Sequence, residues 1–161
     1  MLEYVTEAIV LDKSDSGEQD SRACLFTKDF GKINAKIKSG RKIISKLAGH
    51  AEPLNLAVVR IVDKNSPQII DALAVKKIVP GKAVFKIFSL VKELSPENQP
   101  EPDLWDFLVS LAEREAGEKD FVEALKILGF DPRHARCNNC LSGLPDLFSV
   151  RDLNFYCKNC Y

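Results

Sequence analysis

Hydrophobic positions in the first eighty residues run in short blocks at 4–11, 23–28, 33–38, 54–62 and 69–75, each rich in β-branched side chains. Period-two alternation marks a strand with one buried face, and a short unbroken apolar block between turn residues fits a strand buried on both. Gly17, Phe30-Gly31-Lys32 and Asn65-Ser66-Pro67 fall between the blocks as turns, and the middle one is short enough to close a hairpin. Five strands in so short a stretch predict a small closed barrel, because closure removes the unpaired edges of a flat antiparallel sheet.

After Pro80-Gly81 the period lengthens. Val84, Ile87, Phe88 and Val91 recur at helical spacing, Leu104, Phe107, Leu108 and Leu111 do the same, and Phe121, Leu125 and Leu128 carry the stripe once more. The pattern predicts three amphipathic helices, parted by Pro96, Pro100 and Pro102 and then by Gly117, with Gly129 and Pro132 ending the third. Helices this short are unstable alone in water, so their apolar stripes, Trp105 included, must pack on each other or on the barrel. The chain thus divides into a β domain over 1–80 and a helical region over 81–161 whose last part, 134–161, is rich in cysteine.

The 161 residues, 45% apolar and 29% charged, have the composition of an ordinary globular domain and exclude a disordered or collagen-like chain. Twenty-three cations balance twenty-three anions, so bulk charge says nothing about partners. Its distribution does. Residues 28–46 hold seven Lys or Arg against one acid, whereas residues 82–130 hold six against ten. Within 33–38, alternation turns Ile33, Ala35 and Ile37 to the core and Asn34, Lys36 and Lys38 outward. This row runs into Ser39-Gly40-Arg41-Lys42, where glycine lets the backbone approach a ligand closely.

Cations at strand spacing that end in a basic loop suit a phosphate backbone, which makes Lys32, Lys36, Lys38, Arg41, Lys42 and Lys46 candidate DNA contacts. Phe26 and Phe30 lie nearby and Tyr4 is distant, so base stacking is minor and sequence specificity low. The competing readings are a merely solvated strand face and a face that meets an acidic protein surface.

The most specific signal is Cys137-x-x-Cys140 followed, after sixteen residues, by Cys157-x-x-Cys160, a spacing that fits a structural zinc site. Each pair sets two thiolates on a tight turn, and the interval allows a β-excursion that brings Val150, Leu153 and Phe155 beside them. Four thiolates saturate a tetrahedral Zn2+ and leave no place for water or substrate. Two disulfides would need an oxidising compartment, yet residues 1–11 contain Glu3 and Glu7 and no cation, unlike a signal or transit peptide, so a cytoplasmic location is expected. No eighteen apolar residues run together.

Cys24, alone in a strand, is read as a small buried hydrophobe rather than a reactive thiol, and His134 as a lesser candidate to replace one cysteine ligand. His50-Ala51-Glu52 with Cys137-x-x-Cys140 superficially resembles the signature of zinc nucleobase deaminases, but Arg136 stands where those have proline and the second cysteine pair would fill the metal. No G-x-x-x-x-G-K-[ST] occurs, so nothing resembles a Walker loop for ATP, and no enzymatic activity is expected.

Gly17-Glu18-Gln19-Asp20, Leu25-Phe26-Thr27, Gly31-Lys32-Ile33, Gly40-Arg41-Lys42, Ser45-Lys46-Leu47-Ala48-Gly49 and Pro53 resemble, in order and spacing, the N-terminal domain of RecO, the bacterial recombination mediator. Leu128-Gly129-Phe130-Asp131-Pro132 leading to the cysteine pairs resembles the helix-to-zinc junction of zinc-bearing RecO proteins. The resemblance implies an N-terminal OB-fold barrel, a helical C-terminal region and a four-cysteine zinc module. It also implies a protein that binds single- and double-stranded DNA, anneals complementary strands and, with RecR, helps load RecA onto DNA covered by single-strand binding protein. By position it makes Lys36, Lys38, Arg41, Lys42 and Lys46 DNA contacts and the four cysteines zinc ligands. The alternative of a different class is a zinc-ribbon adaptor that binds protein without touching DNA.

Overall fold

The structure, a computed structural model, describes residues 1–38 and 46–161. Strands β1 (Leu2–Ser16), β2 (Asp20–Thr27), β3 (Gly31–Ile37), β4 (Asn55–Asp63) and β5 (Pro67–Lys77) close into a barrel in the order β1-β2-β3-β5-β4, with β4 returning to β1. Every neighbouring pair is antiparallel except β3 and β5, which meet in parallel at Lys36 opposite Gln68. A short helix α1 (Lys46–His50) lies between β3 and β4.

The five predicted strands are all present, but β1 is longer than its hydrophobic block. Its last four residues, Lys13 to Ser16, are polar and still pair with Ala23 to Asp20 of β2. Backbone pairing needs no hydrophobic period, so the pattern could not announce it. Between Val10 and Asp12 the register shifts and Leu11 is the extra residue, a bulge that bends the strand.

Two apolar cores share the barrel wall. Ala8, Val10, Leu25, Ile33, Ala35 and Ile37 point inward and fill the barrel. Ile9, Leu11, Cys24 and Phe26 point outward from β1 and β2 into a second core made with the helices. That is why β1 and β2 are buried without interruption over Ala8–Leu11 and Ala23–Thr27: their centres have no solvent face.

The predicted helices are α2 (Lys82–Leu94), α3 (Pro102–Ser110) and α4 (Glu118–Ile127). Val84, Ile87, Phe88 and Val91 on α2, Leu104, Trp105 and Leu108 on α3 and Leu125 on α4 are all buried, as the helical period requires. Among the described residues, no helix is long and apolar enough to cross a membrane.

The entry to α4 is held by a buried carboxylate. Asp120 accepts the Gly117 backbone N–H at 2.8 Å and pairs with the Arg114 guanidinium at 2.5 Å. The Arg114 hydrogen bond, helped by the Gly117 amide, holds the Asp120 carboxyl below its usual value. A carboxylate with a depressed folded pKa contributes stability that is present above its unfolded value and lost as pH falls through the folded one. Asp120→Ala is therefore expected to cost about 1–3 kcal/mol at neutral pH, measured by denaturant titration, with the deficit shrinking as pH falls below about 4.

Beyond α4 a 3-10 turn (Pro132–His134) leads into the cysteine region, which contains the hairpin β6 (Leu147–Ser149) and β7 (Asn154–Tyr156). Phe148 stacks tilted between Phe130 and Phe155, at 5.1 and 4.9 Å between ring centroids, and all three pack on the helix–barrel core. Val150 joins them, while Leu153 sits exposed at the hairpin turn and so does not shield the cysteines as expected.

Candidate metal centre and nucleic-acid face

Two tight turns deliver the four sulfurs. In the first, the Leu141 N–H donates to the Cys137 carbonyl and the Cys137 N–H to the Ser142 carbonyl, both at 2.9 Å. In the second, the Cys160 N–H donates to the Cys157 carbonyl at 3.0 Å, and Asn138 N–H to Phe155 carbonyl, at 2.8 Å, joins the turns. The Sγ atoms of Cys137, Cys140, Cys157 and Cys160 all lie within 4.8 Å of one another. Cys140 and Cys157 are 3.7 Å apart, close to the ~3.8 Å edge of a tetrahedron with metal–sulfur bonds of about 2.3 Å and well beyond a disulfide bond.

The electrostatics fit the same reading. Backbone N–H groups of Cys140 and Cys157 pull the Cys137 thiol down to about 6, whereas the Cys157 sulfur pushes Cys160 up to about 12. Sulfurs this close cannot all become thiolates on their own, because each new negative charge disfavours the next. A bound cation removes that conflict. The donor set therefore fits a metal ion.

The other cysteine and both histidines lie elsewhere. Cys24 is buried in the helix–barrel core, where burial pushes its thiol up to about 11, as a packing residue and not a nucleophile. His134 is exposed, 4.0 Å from Asp131, and stands outside the sulfur cluster. His50 accepts the Ala74 backbone N–H at 3.0 Å, and Glu52 pairs with Lys13 at 2.6 Å, so the deaminase-like constellation is not assembled.

The outward face of β3 is cut in two. The chain leaving α2 crosses its first half: Glu97 bridges Lys32 in parallel, the Asn98 N–H donates to the Lys32 carbonyl at 3.0 Å, and Asn34 donates to the Glu97 carboxylate. Gly31, at φ 69°, lies so near the Gln99 backbone that a Cβ would stand 1.9 Å from its carbonyl oxygen. Lys32 is consequently buried, its Nζ donating to the Lys92 carbonyl at 2.7 Å. Its expected place on an open cationic row is corrected: it fastens β3 to α2.

The second half of β3 stays open. Lys36 pairs with Asp20 at 2.9 Å and stands beside Arg22 of β2, which is exposed. Lys38 and Lys46 are exposed. Arg41 and Lys42, the loop cations of the expected row, lie outside the described residues.

A model of the N-terminal domain of recombination protein O matches residues 1–77, from the first residue through the end of β5. Over 98% of its length the chain is 31% identical to the DNA repair protein RecO of Dehalococcoides mccartyi strain BAV1, covering 70% of that protein. It is 26% identical to the DNA repair protein RecO of Thermodesulfovibrio yellowstonii, over 99% of this chain and 70% of that one. The chain belongs to the RecO family.

The RecO-family assignment spans both the barrel and the cysteine region, since these alignments cover almost the whole chain. It makes this a member of a DNA repair protein family. Two further cations, Arg22 and Lys64, stand alone in their local sequence and so carry no periodic signal. The barrel register sets Arg22 opposite Lys36, and the β4–β5 turn brings Lys64 to the same rim as Lys38.

Proposed function

We propose that the chain is a non-enzymatic recombination and repair mediator that binds DNA on its barrel, anneals complementary strands and assists RecA loading. In this reading the barrel is an OB-fold, supported by the strand order β1-β2-β3-β5-β4 and by a helix between β3 and β4. OB-folds bind oligonucleotides on the β2–β3 face and with the loops that flank it. The observation that carries the proposal lies there: Arg22, Lys36 and Lys38 share the part of that face which the segment after α2 leaves uncovered.

Those cations, with Arg41, Lys42 and Lys46, screen phosphate repulsion so that two strands can approach and pair; Lys32, being buried, is not among them. The cysteines hold a structural Zn2+ through Cys137, Cys140, Cys157 and Cys160, and no step acts on a covalent bond. Partners carried over from the family are RecR, single-strand binding protein and, indirectly, RecA. The alternative adaptor reading is favoured by an apolar cleft of about 670 Å³ between α2, α4 and the β6–β7 hairpin, where Phe85 and Val122 are exposed beside Lys82 and Lys86.

Reversing Lys36, Lys38, Arg41 and Lys42 to Glu separates the two readings. The unmodified chain is expected to show log K falling against log salt with a slope of about −3 on single-stranded DNA, as for about four neutralised phosphates. The reversed chain should lose both that slope and annealing. Unchanged binding and annealing would end the proposal and leave the adaptor.

A further inference from the structure

We infer that the barrel rim between the end of β3 and the β4–β5 turn is a phosphate-binding subsite for a nucleic-acid strand, formed by Lys38 and Lys64 with Asn65, Ser66 and Gln68. The inference rests on the DNA-binding reading above and places one part of the strand's path.

A cleft of about 430 Å³ opens at this rim, and Lys38, Lys64, Asn65, Ser66, Gln68 and Ile70 line it with Met1 and Val62. Two of the eight lining residues have cationic side chains and none has an acidic one. Lys38 and Lys64 make no ion pair among the described residues, so no carboxylate neutralises either of them at this rim. The carboxylate nearest Lys64 in sequence, Asp63, shares the inward parity of Val59 and Ile61 on β4 and bears on Tyr4 instead.

Two lysines lining one cleft without a carboxylate among its walls favour an anion there. Asn65, Ser66 and Gln68 add neutral hydrogen-bonding groups of the kind that fix phosphate oxygens without further charge. Val62 and Ile70 supply an apolar wall for a sugar or base. The cleft also continues the cationic face. Gln68 lines it and is the residue that pairs with Lys36 across the β3–β5 seam, so a strand lying on Arg22 and Lys36 passes directly into it.

The test is anisotropy of a labelled oligothymidine, titrated across a salt series with the full chain, its K38Q/K64Q variant, K64Q alone and a K126Q control. Losing two phosphate contacts should flatten the salt slope by about 1.4 and weaken binding about 25-fold at 0.1 M salt, with K64Q alone giving about half the change in slope. K126Q should bind as the unmodified chain does, and thermal melting confirms that each variant is folded. If the unmodified chain binds and both glutamine variants match it in slope and affinity, the subsite is overturned while DNA binding stands. If the unmodified chain does not bind at all, the DNA-binding reading falls and takes the subsite with it.

Discussion

Gly31→Ala is expected to lower stability by about 2–5 kcal/mol, combining roughly 1–2 kcal/mol for a side chain held at positive φ with about 1–3 kcal/mol for overpacking. At this chain length such a loss moves the melting temperature down by very roughly 4–20 °C. Both costs arise at one atom. Gly31 opens β3 at φ 69°, and a new Cβ would collide with the Gln99 backbone, which has no flexible side-chain end to yield. The segment crossing β3 must then lift away, taking with it the Asn98 bond to the Lys32 carbonyl.

Gly17→Ala is the matched control. Gly17 also has positive φ, at 76°, but nothing lies within 4 Å of the point its Cβ would occupy, so only the conformational cost applies. Equal melting temperatures for the two variants would show that the crossing segment adds nothing to the fold.

Loss of metal is the second large effect. Metal analysis of the purified chain should give one bound ion, and the Cys137→Ser/Cys160→Ser variant none, because two thiolates do not complete a tetrahedral site. The variant should lose the ordered turns and the packing of Phe148 and Phe155, seen as lower near-ultraviolet dichroism and faster proteolysis after Pro132, while the barrel stays folded. Binding free energy in such sites is folding free energy, commonly of order 10 kcal/mol, so an undisturbed variant would refute a metal-held module.

The pH dependence has a definite sign. Cys137, depressed to about 6, adds stability to the metal-free region as pH rises from about 6 toward 9, its ordinary value. Cys160, raised to about 12, has its contribution fully present below 9 and loses it between 9 and 12. Metal binding needs all four sulfurs deprotonated, so affinity should climb with pH and the ion should leave in acid.

Much of this was legible in the chain. The β-blocks, the helical stripes and the paired C-x-x-C motifs each follow from chemistry confined to a few neighbouring residues. What escaped depended on contacts between distant ones. Period-two reading turned Asn34, Lys36 and Lys38 outward together, but whether that face is open depends on where the chain after α2 comes to rest, 63 residues beyond Asn34. Polar residues 13–16 extend β1 through backbone pairing alone, and Asn65-Ser66 reads as a turn until the barrel brings it to the end of β3.

The buried ammonium of Lys32 makes dissection of this molecule hazardous. A fragment cut after residue 77 matches the family model and carries all five strands, yet it would strip the helical cover from Ile9, Leu11, Cys24 and Phe26 and release Lys32 from the Lys92 carbonyl. Such a piece would be both greasier and more cationic than its parent. Its grip on nucleic acid would overstate what the intact chain offers, and its tendency to clump would be an artefact of the scissors.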